Sequence, residues 1–299
     1  MFNNSNVQIV SEKICVLNKN ELKCAPGRKY DKKNNTCFTI EELQNIALQF
    51  NKQYNDSQIQ YKNMGKKELL RELISKIKSK EGCENQNCWL NTSIFNNIKD
   101  PMMKHGILKP KGPWKNDGTW LSTDDINLVL RQYENKYKNF KFLGTVSYDF
   151  EEIPAYGLQN IELNNFLKNN ISKIGLVINL DKYGENGSHW VSLYSDLNKK
   201  KIYFFDSLGK KPKNKIKEFI IKLYNQMNNV NYKSKYNNKN SIFRYNKNVH
   251  QLGPSECGVY SIRTIIHLLE GQTFTKVSNE IIRDEEIEKC RKIYFRGND

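Results

Sequence analysis

The segment His250-Gln251-Leu252-Gly253-Pro254-Ser255-Glu256-Cys257-Gly258-Val259-Tyr260-Ser261 constrains this chain more than any other. It places a cysteine at the start of an apolar helical repeat, Val259, Ile262, Ile265, Ile266 and Leu269, which ends at Gly271. A sulfur at a helix N-terminus faces unpaired backbone N–H groups and the positive end of the helix dipole, and both favour the thiolate. The same N–H groups can stabilise an oxyanion that forms beside the sulfur. Glu256 opposes this, because a negative charge next to the sulfur disfavours a second one. The plain alternative is a structural cysteine, since a free cysteine often acts as a small buried hydrophobe.

Upstream residues supply partners for a reactive thiol. The run Ile174 to Leu180 predicts a strand, Asn186-Gly187 a hairpin turn, and His189 to Tyr194 the returning strand. A polar turn around Asn198 and Lys199 leads into a third strand, Ile202 to Phe205, followed by Asp206-Ser207-Leu208-Gly209. His189 and Asp206 then lie near the ends of adjacent antiparallel strands. There a carboxylate can hold an imidazole in one tautomer, and the imidazole can take a proton from a nucleophile. A lone histidine or aspartate is more often structural. Four such residues, each in a fitting local context, are harder to obtain by chance.

The order His189-Trp190, Asp206, Gln251, Cys257 and its spacing resemble the cysteine proteases that include adenovirus protease (adenain) and the SUMO-specific proteases. Thr119-Trp120-Leu121-Ser122-Thr123-Asp124-Asp125-Ile126 is similar to that family's opening motif, which leads into its first helix. Within the family, Ser255 to Ser261 and Ile282-Arg283-Asp284-Glu285-Glu286 through Phe295-Arg296 resemble the polyprotein-processing proteases of African swine fever virus and other large DNA viruses. So do Gly82-Cys83, Cys88 and the stretch from Gly112-Pro113 to Ile126, which extends the likeness over roughly residues 80 to 299. Asp206 departs from the asparagine of the swine fever enzyme, although aspartate is the commoner choice across the wider family.

The resemblance implies a Cys257 nucleophile, a His189 general base and acid, an Asp206 orienter and a Gln251 amide in the oxyanion hole. It also implies substrate contacts from Trp190 and Trp120. The implied fold is α+β and papain-like, a mixed sheet with the Cys257 helix packed on it. Local patterns agree with that class. They predict helices from Thr123 (as cap) through Tyr133 and from Ile216 to Met227, and strands over Phe140 to Val146 and Ser241 to Val249.

The chain's 299 residues leave room for a catalytic domain over 91–299 and a helical N-terminal module over 1–90. In that module Thr39-Ile40-Glu41-Glu42 forms a capping box, with Leu43, Ile46, Ala47 and Phe50 at helical spacing behind it. A loop from Asn51 to Gly65 precedes a basic helix, Lys66 to Lys80, an arrangement similar to small SAP-type nucleic-acid-binding modules. A structural or substrate-positioning arm fits equally well. Cys24, Cys37, Cys83 and Cys88 bracket the module, but their gaps do not match zinc knuckles, so free thiols are expected in preference to zinc and no metal is assigned. Cys15 and Cys290 receive no role; Cys290 is expected in a C-terminal helix. His250, His267 and His105 lack the strand-and-acid context of His189, and no metalloprotease or phosphate-loop motif is present.

No run reaches the ~18 apolar residues of a membrane helix, and the N-terminus does not open as a secretory signal. A thiol enzyme with seven cysteines suggests a reducing compartment. The resemblance places it in the virion and host cytoplasm, at sites of virus assembly. The net charge of +16, with clusters at Lys199-Lys200-Lys201, Lys210-Lys211, Lys213, Lys215 and Lys217, creates a field that attracts polyanions or acidic substrates. DNA is therefore expected as a partner. As an activator it is implied only by the resemblance, and no other cofactor is expected.

The function expected is that of an endopeptidase cleaving viral structural precursors after Gly-Gly. Removal of ubiquitin-like modifiers from host proteins is the near alternative, since these also end in Gly-Gly. Acetyl transfer and non-catalytic nucleic-acid binding in the virion are the remaining readings.

Overall fold

A computed structural model describes residues 14–15, 23–100, 103, 105–113, 118–228 and 242–297. The Asn/Lys-rich loop after Asn228, Ser241, the first residues of the chain and residues 114–117 of the opening motif's lead-in lie outside the described residues. The chain divides into two compact units. One contains Gly112–Tyr294 and the described residues 14 and 15, and the other contains Asn20–Lys111 with Phe295–Asp299.

The larger unit is built on a five-stranded mixed sheet in the order β1-β2-β3-β4-β5, with β1 at Phe140–Val146, β2 at Lys173–Asn179, β3 at Trp190–Asp196, β4 at Lys201–Phe205 and β5 at Ile242–Tyr245. β1 runs parallel to β2 and β4 parallel to β5, while β2, β3 and β4 form an antiparallel meander. Every residue of β3 is buried, as expected of a central strand covered on both faces. The helix expected after the third strand spans Asn214–Asn228, and its Ile216, Phe219, Ile220, Leu223 and Met227 pack with Val191, Leu193, Ile202 and Phe204 on one face of the sheet. On the opposite face lies the helix Cys257–Leu269, buried along its whole length and packed on β3. These elements are the α+β arrangement expected from the sequence.

One boundary is corrected. The helix Thr123–Lys136 is capped by Ser122, not Thr123. The Ser122 hydroxyl accepts from the Asp125 N–H at 3.2 Å, and the Asp125 carboxylate accepts from the Ser122 N–H at 2.8 Å. From Thr123 the third helical residue would be Ile126, which has no acceptor to return the bond.

In the smaller unit, the capping box at Thr39 and Glu42 starts the helix Ile40–Gln53. The helix Lys66–Glu81 follows and ends at Gly82, whose φ of 68° is a left-handed position suited to glycine. Asn51 pins the intervening loop, donating to the Ile59 carbonyl and accepting from its N–H. Leu43, Phe50, Leu73 and Ile77 share a core with Trp89 and Phe95.

The expectation of free thiols is overturned. Cys24 is bonded to Cys37, Cys83 to Cys88, and Cys15 to Cys290 in the C-terminal helix Asp284–Tyr294. Neither disulfide of the smaller unit leaves a thiolate for zinc. Cys257 is the one free cysteine among the described residues, so the inference of a reducing compartment from seven thiols loses its ground.

Candidate active site

The turn ahead of β3 delivers His189 to the end of the sheet. Gly187 takes a φ of 82°, and a Cβ there would come within 2.7 Å of Asn179 Nδ2, so the turn requires glycine. The His189 carbonyl accepts from the Leu180 N–H at 2.9 Å, which fixes the residue just before the strand begins. Asp206 directly follows β4, the neighbour of β3, and therefore projects from the same end of the sheet. His189 Nε2 lies 2.7 Å from Asp206 Oδ1.

That contact leaves Nδ1 as the ring nitrogen available to the Cys257 side chain, whose interaction with the imidazole also supports its charge. Burial disfavours a charged ring, but the hydrogen bonds and charges of Asp206 and Cys257 outweigh it and raise the His189 pKa to about 9. Cys257 is 1% exposed and opens its helix.

Gln251 is linked to this group through Ser207, the residue after Asp206. Ser207 Oγ donates to Gln251 Oε1 at 2.6 Å, and the Ser207 carbonyl accepts the Gln251 backbone N–H at 3.1 Å. Gln251 Nε2 donates one N–H to the Gly253 carbonyl at 2.7 Å, so its second amide N–H can still serve an oxyanion.

Trp190 is buried against the start of the Cys257 helix. Its Nε1 donates to the Leu121 carbonyl at 3.0 Å, and a Cβ added at Gly258 would sit 3.3 Å from Trp190 Cδ1 and 3.1 Å from Leu121 Cβ. Glycine after Cys257 is therefore what allows Trp190 and Leu121 to close on the start of the helix. Trp120 stands 43% exposed, one residue before Leu121. It is available to a ligand but is not drawn into the buried cluster.

Ser207, Leu121 and Asn246 carry contacts that sequence reasoning did not assign. Asn246 follows β5 and bonds the backbone of Asp206, a pairing visible only once the parallel β4–β5 register is known. The other histidines take no part. His250 Nε2 pairs with the Ser278 carbonyl, and burial pushes its pKa down. Burial and the neighbouring Arg263 push that of His267 down to about 3.

Residues 159–299 match the family model described as the Ulp1 protease family, C-terminal catalytic domain. A protein of Acanthamoeba polyphaga mimivirus, named for thiol protease activity, is 35% identical over 291 residues, covering 92% of this chain and 93% of that protein. A protein of African swine fever virus, named a SUMO-1 cysteine protease, is 25% identical over 256 residues, 77% of this chain and 90% of its own length. The crystal structure of the African swine fever virus protease superposes with a TM-score of 0.64 at 19% identity, covering 93% of this chain and 97% of that one. The same fold thus holds across both units at low identity. The chain belongs to the Ulp1-type family of cysteine proteases and is a cysteine-type peptidase.

Proposed function

We propose that this peptidase cleaves viral precursor polyproteins after Gly-Gly, with Cys257 as nucleophile, His189 as proton carrier, Asp206 as its orienter and Gln251 as an oxyanion donor. The observation that carries the reading is the placement of His189 between the Asp206 carboxylate and the Cys257 sulfur at a helix N-terminus.

In the first step the Cys257 thiolate attacks the scissile carbonyl carbon, and its π electrons move to oxygen. Backbone N–H groups at the helix start and the second N–H of Gln251 Nε2 receive that oxyanion. Collapse of the tetrahedral species expels the amine, which takes its proton from the His189 imidazolium, and an acyl-thioester remains. Water then attacks the thioester, losing its proton to neutral His189. Breakdown releases the carboxylic acid and restores the sulfur–imidazolium pair. Asp206 on Nε2 keeps Nδ1 directed at the sulfur throughout.

The Gly-Gly preference rests on the family resemblance, with Trp190, held against Gly258 at the start of the Cys257 helix, as the aromatic wall of the substrate channel. Exposed Trp120 is the further substrate contact that the family resemblance implies. The name of the swine fever relative favours a second reading, cleavage of ubiquitin-like modifiers ending in Gly-Gly. The net charge of +16 supports DNA as an additional ligand, although some of the clustered lysines are already paired, Lys199 with Asp196 and Lys215 with Glu152.

A library of Gly-Gly-Xaa peptides and a set of ubiquitin-like fusions, offered to wild type and Cys257→Ala with and without DNA, tests these statements together. Cleavage after Gly-Gly by wild type alone is expected. A rate rise with DNA that fades with salt would assign the positive charge. Cleavage that persists in Cys257→Ala would overturn the nucleophile, and exclusive cleavage of the fusions would favour the second reading.

A further inference from the structure

The C-terminal helix Asp284–Tyr294 and the two residues before it grip the active-site loop along its length. Arg283 Nη1 donates to the carbonyls of Val249 at 3.1 Å and His250 at 3.2 Å. Asp284 Oδ2 accepts the N–H groups of Leu252 at 2.8 Å and Gly253 at 2.7 Å. Tyr260, on the nucleophile helix, donates to the Ile282 carbonyl at 2.7 Å. The final grip falls on the residue before the nucleophile. Arg291 Nε lies 3.0 Å from Glu256 Oε2 and Nη2 lies 2.7 Å from Oε1, while Nη2 also donates to the Ser255 carbonyl at 3.3 Å.

Both members of this pair are buried, Glu256 to 4% exposure and Arg291 to 2%. Glu256 holds the N-cap position of the nucleophile helix but makes no side-chain cap bond; its carboxylate meets the Arg291 guanidinium and accepts from the Ser255 hydroxyl at 3.1 Å. Arg291 Nη1 is buried with no partner among the described residues, a cost that an apolar side chain of similar volume would avoid. What arginine adds despite that cost is a positive charge on Glu256 and a hold on the Ser255 peptide. Without that charge, an uncompensated carboxylate would sit in a low-dielectric site beside the sulfur that must become negative. The next residue back, Cys290, is bonded to Cys15, which anchors the helix at the same height.

We propose that Arg291 is a positioning residue for the nucleophile: it cancels the charge of Glu256 beside Cys257 and fixes the Ser255–Glu256 peptide from which the helix starts. This rests on the reading of Cys257 as the nucleophile. The test follows alkylation of Cys257 by iodoacetamide in the native full-length protein, scored by intact mass, as a function of pH. Variants are Arg291→Met, Arg291→Lys, Glu256→Gln and the double variant Arg291→Met with Glu256→Gln, each checked for folding by circular dichroism.

Arg291→Met should move the midpoint of the alkylation profile up by about one pH unit, a tenfold slower reaction on its rising limb. Glu256→Gln should move it down, the double variant should return it to the wild-type position, and Arg291→Lys should lie between wild type and Arg291→Met. A role confined to stability would not produce opposite shifts that cancel. If Arg291→Met does not fold, the downward shift of Glu256→Gln and the restored profile of the double variant still carry the test. Profiles that coincide for wild type, Glu256→Gln and the double variant would overturn the proposal and leave the nucleophile reading standing. A wild-type Cys257 that resists alkylation at every pH would overturn both.

Discussion

Asn246 clamps the backbone of Asp206 at two points. Its Oδ1 accepts the Asp206 N–H at 2.9 Å, and its Nδ2 donates to the Asp206 carbonyl at 2.8 Å. The Leu208 N–H donates to Asp206 Oδ1 at 2.9 Å, the oxygen that also meets His189. The carboxylate is therefore aimed by its own turn and by a strand that arrives 40 residues later in the chain.

Asn246→Ala removes both bonds and leaves the Asp206 N–H unpaired, while the Asp206 carbonyl keeps the Gly209 N–H. We expect a loss of about 2 kcal/mol in stability and a fall of roughly tenfold in kcat, with KM little changed because no substrate contact is lost. Denaturant melts and peptide-cleavage kinetics on the same preparation measure both. A kcat at the wild-type level would show that the clamp does not aim Asp206.

The raised pKa of His189, about 9 against an ordinary value near 6.5, sets two pH dependences. The folded value exceeds the unfolded one. Its stabilising contribution is thus complete below about pH 6.5 and is lost as pH rises through about 9. The cleavage rate should fall on its alkaline side near pH 9, as the imidazolium that protonates the leaving amine disappears. Asp206→Asn removes a negative charge that supports the imidazolium, so that limb should move toward neutral pH. Profiles of kcat/KM and of Tm against pH check both statements, and an alkaline limb that stays in place in Asp206→Asn would contradict them.

Cysteine pairing makes a prediction independent of catalysis. Protein denatured without reductant should show one thiol per chain toward a thiol reagent, on Cys257, and seven after reduction. Replacing Cys15 and Cys290 together by serine should cost about 2–4 kcal/mol, because that bond closes the longest loop, whereas Cys83–Cys88, five residues apart, should matter least. Thiol titration and denaturant melts measure these effects. Seven reactive thiols before reduction would contradict the pairing.

Much of the fold is written in short-range patterns. The limits of β1, Phe140–Val146, coincide with those read from the sequence, and the Thr39–Glu42 box marks a helix start to the residue. The meeting of His189, Asp206 and Cys257 was legible because two consecutive hairpin strands and one helix start bring them to one end of the sheet. The missed features depend on distance along the chain. Ser207, Asn246 and Arg291 act on residues 44, 40 and 35 positions away, and Cys15 pairs across 275. Local spacing carries no signal for such contacts, since strand register and helix packing create them. The cap shift from Thr123 to Ser122 is of another kind, visible in the sequence once the acid three residues on is required.

The central claim is that Cys257 carries the acyl intermediate. A peptide aldehyde or vinyl sulfone ending in Gly-Gly, followed by intact-mass and peptide-level mapping, tests it most directly. The account predicts one adduct per chain on Cys257, greatly slowed in His189→Ala and absent in Cys257→Ala. An adduct on another residue, or Gly-Gly cleavage by a protein whose Cys257 has been replaced, would contradict it.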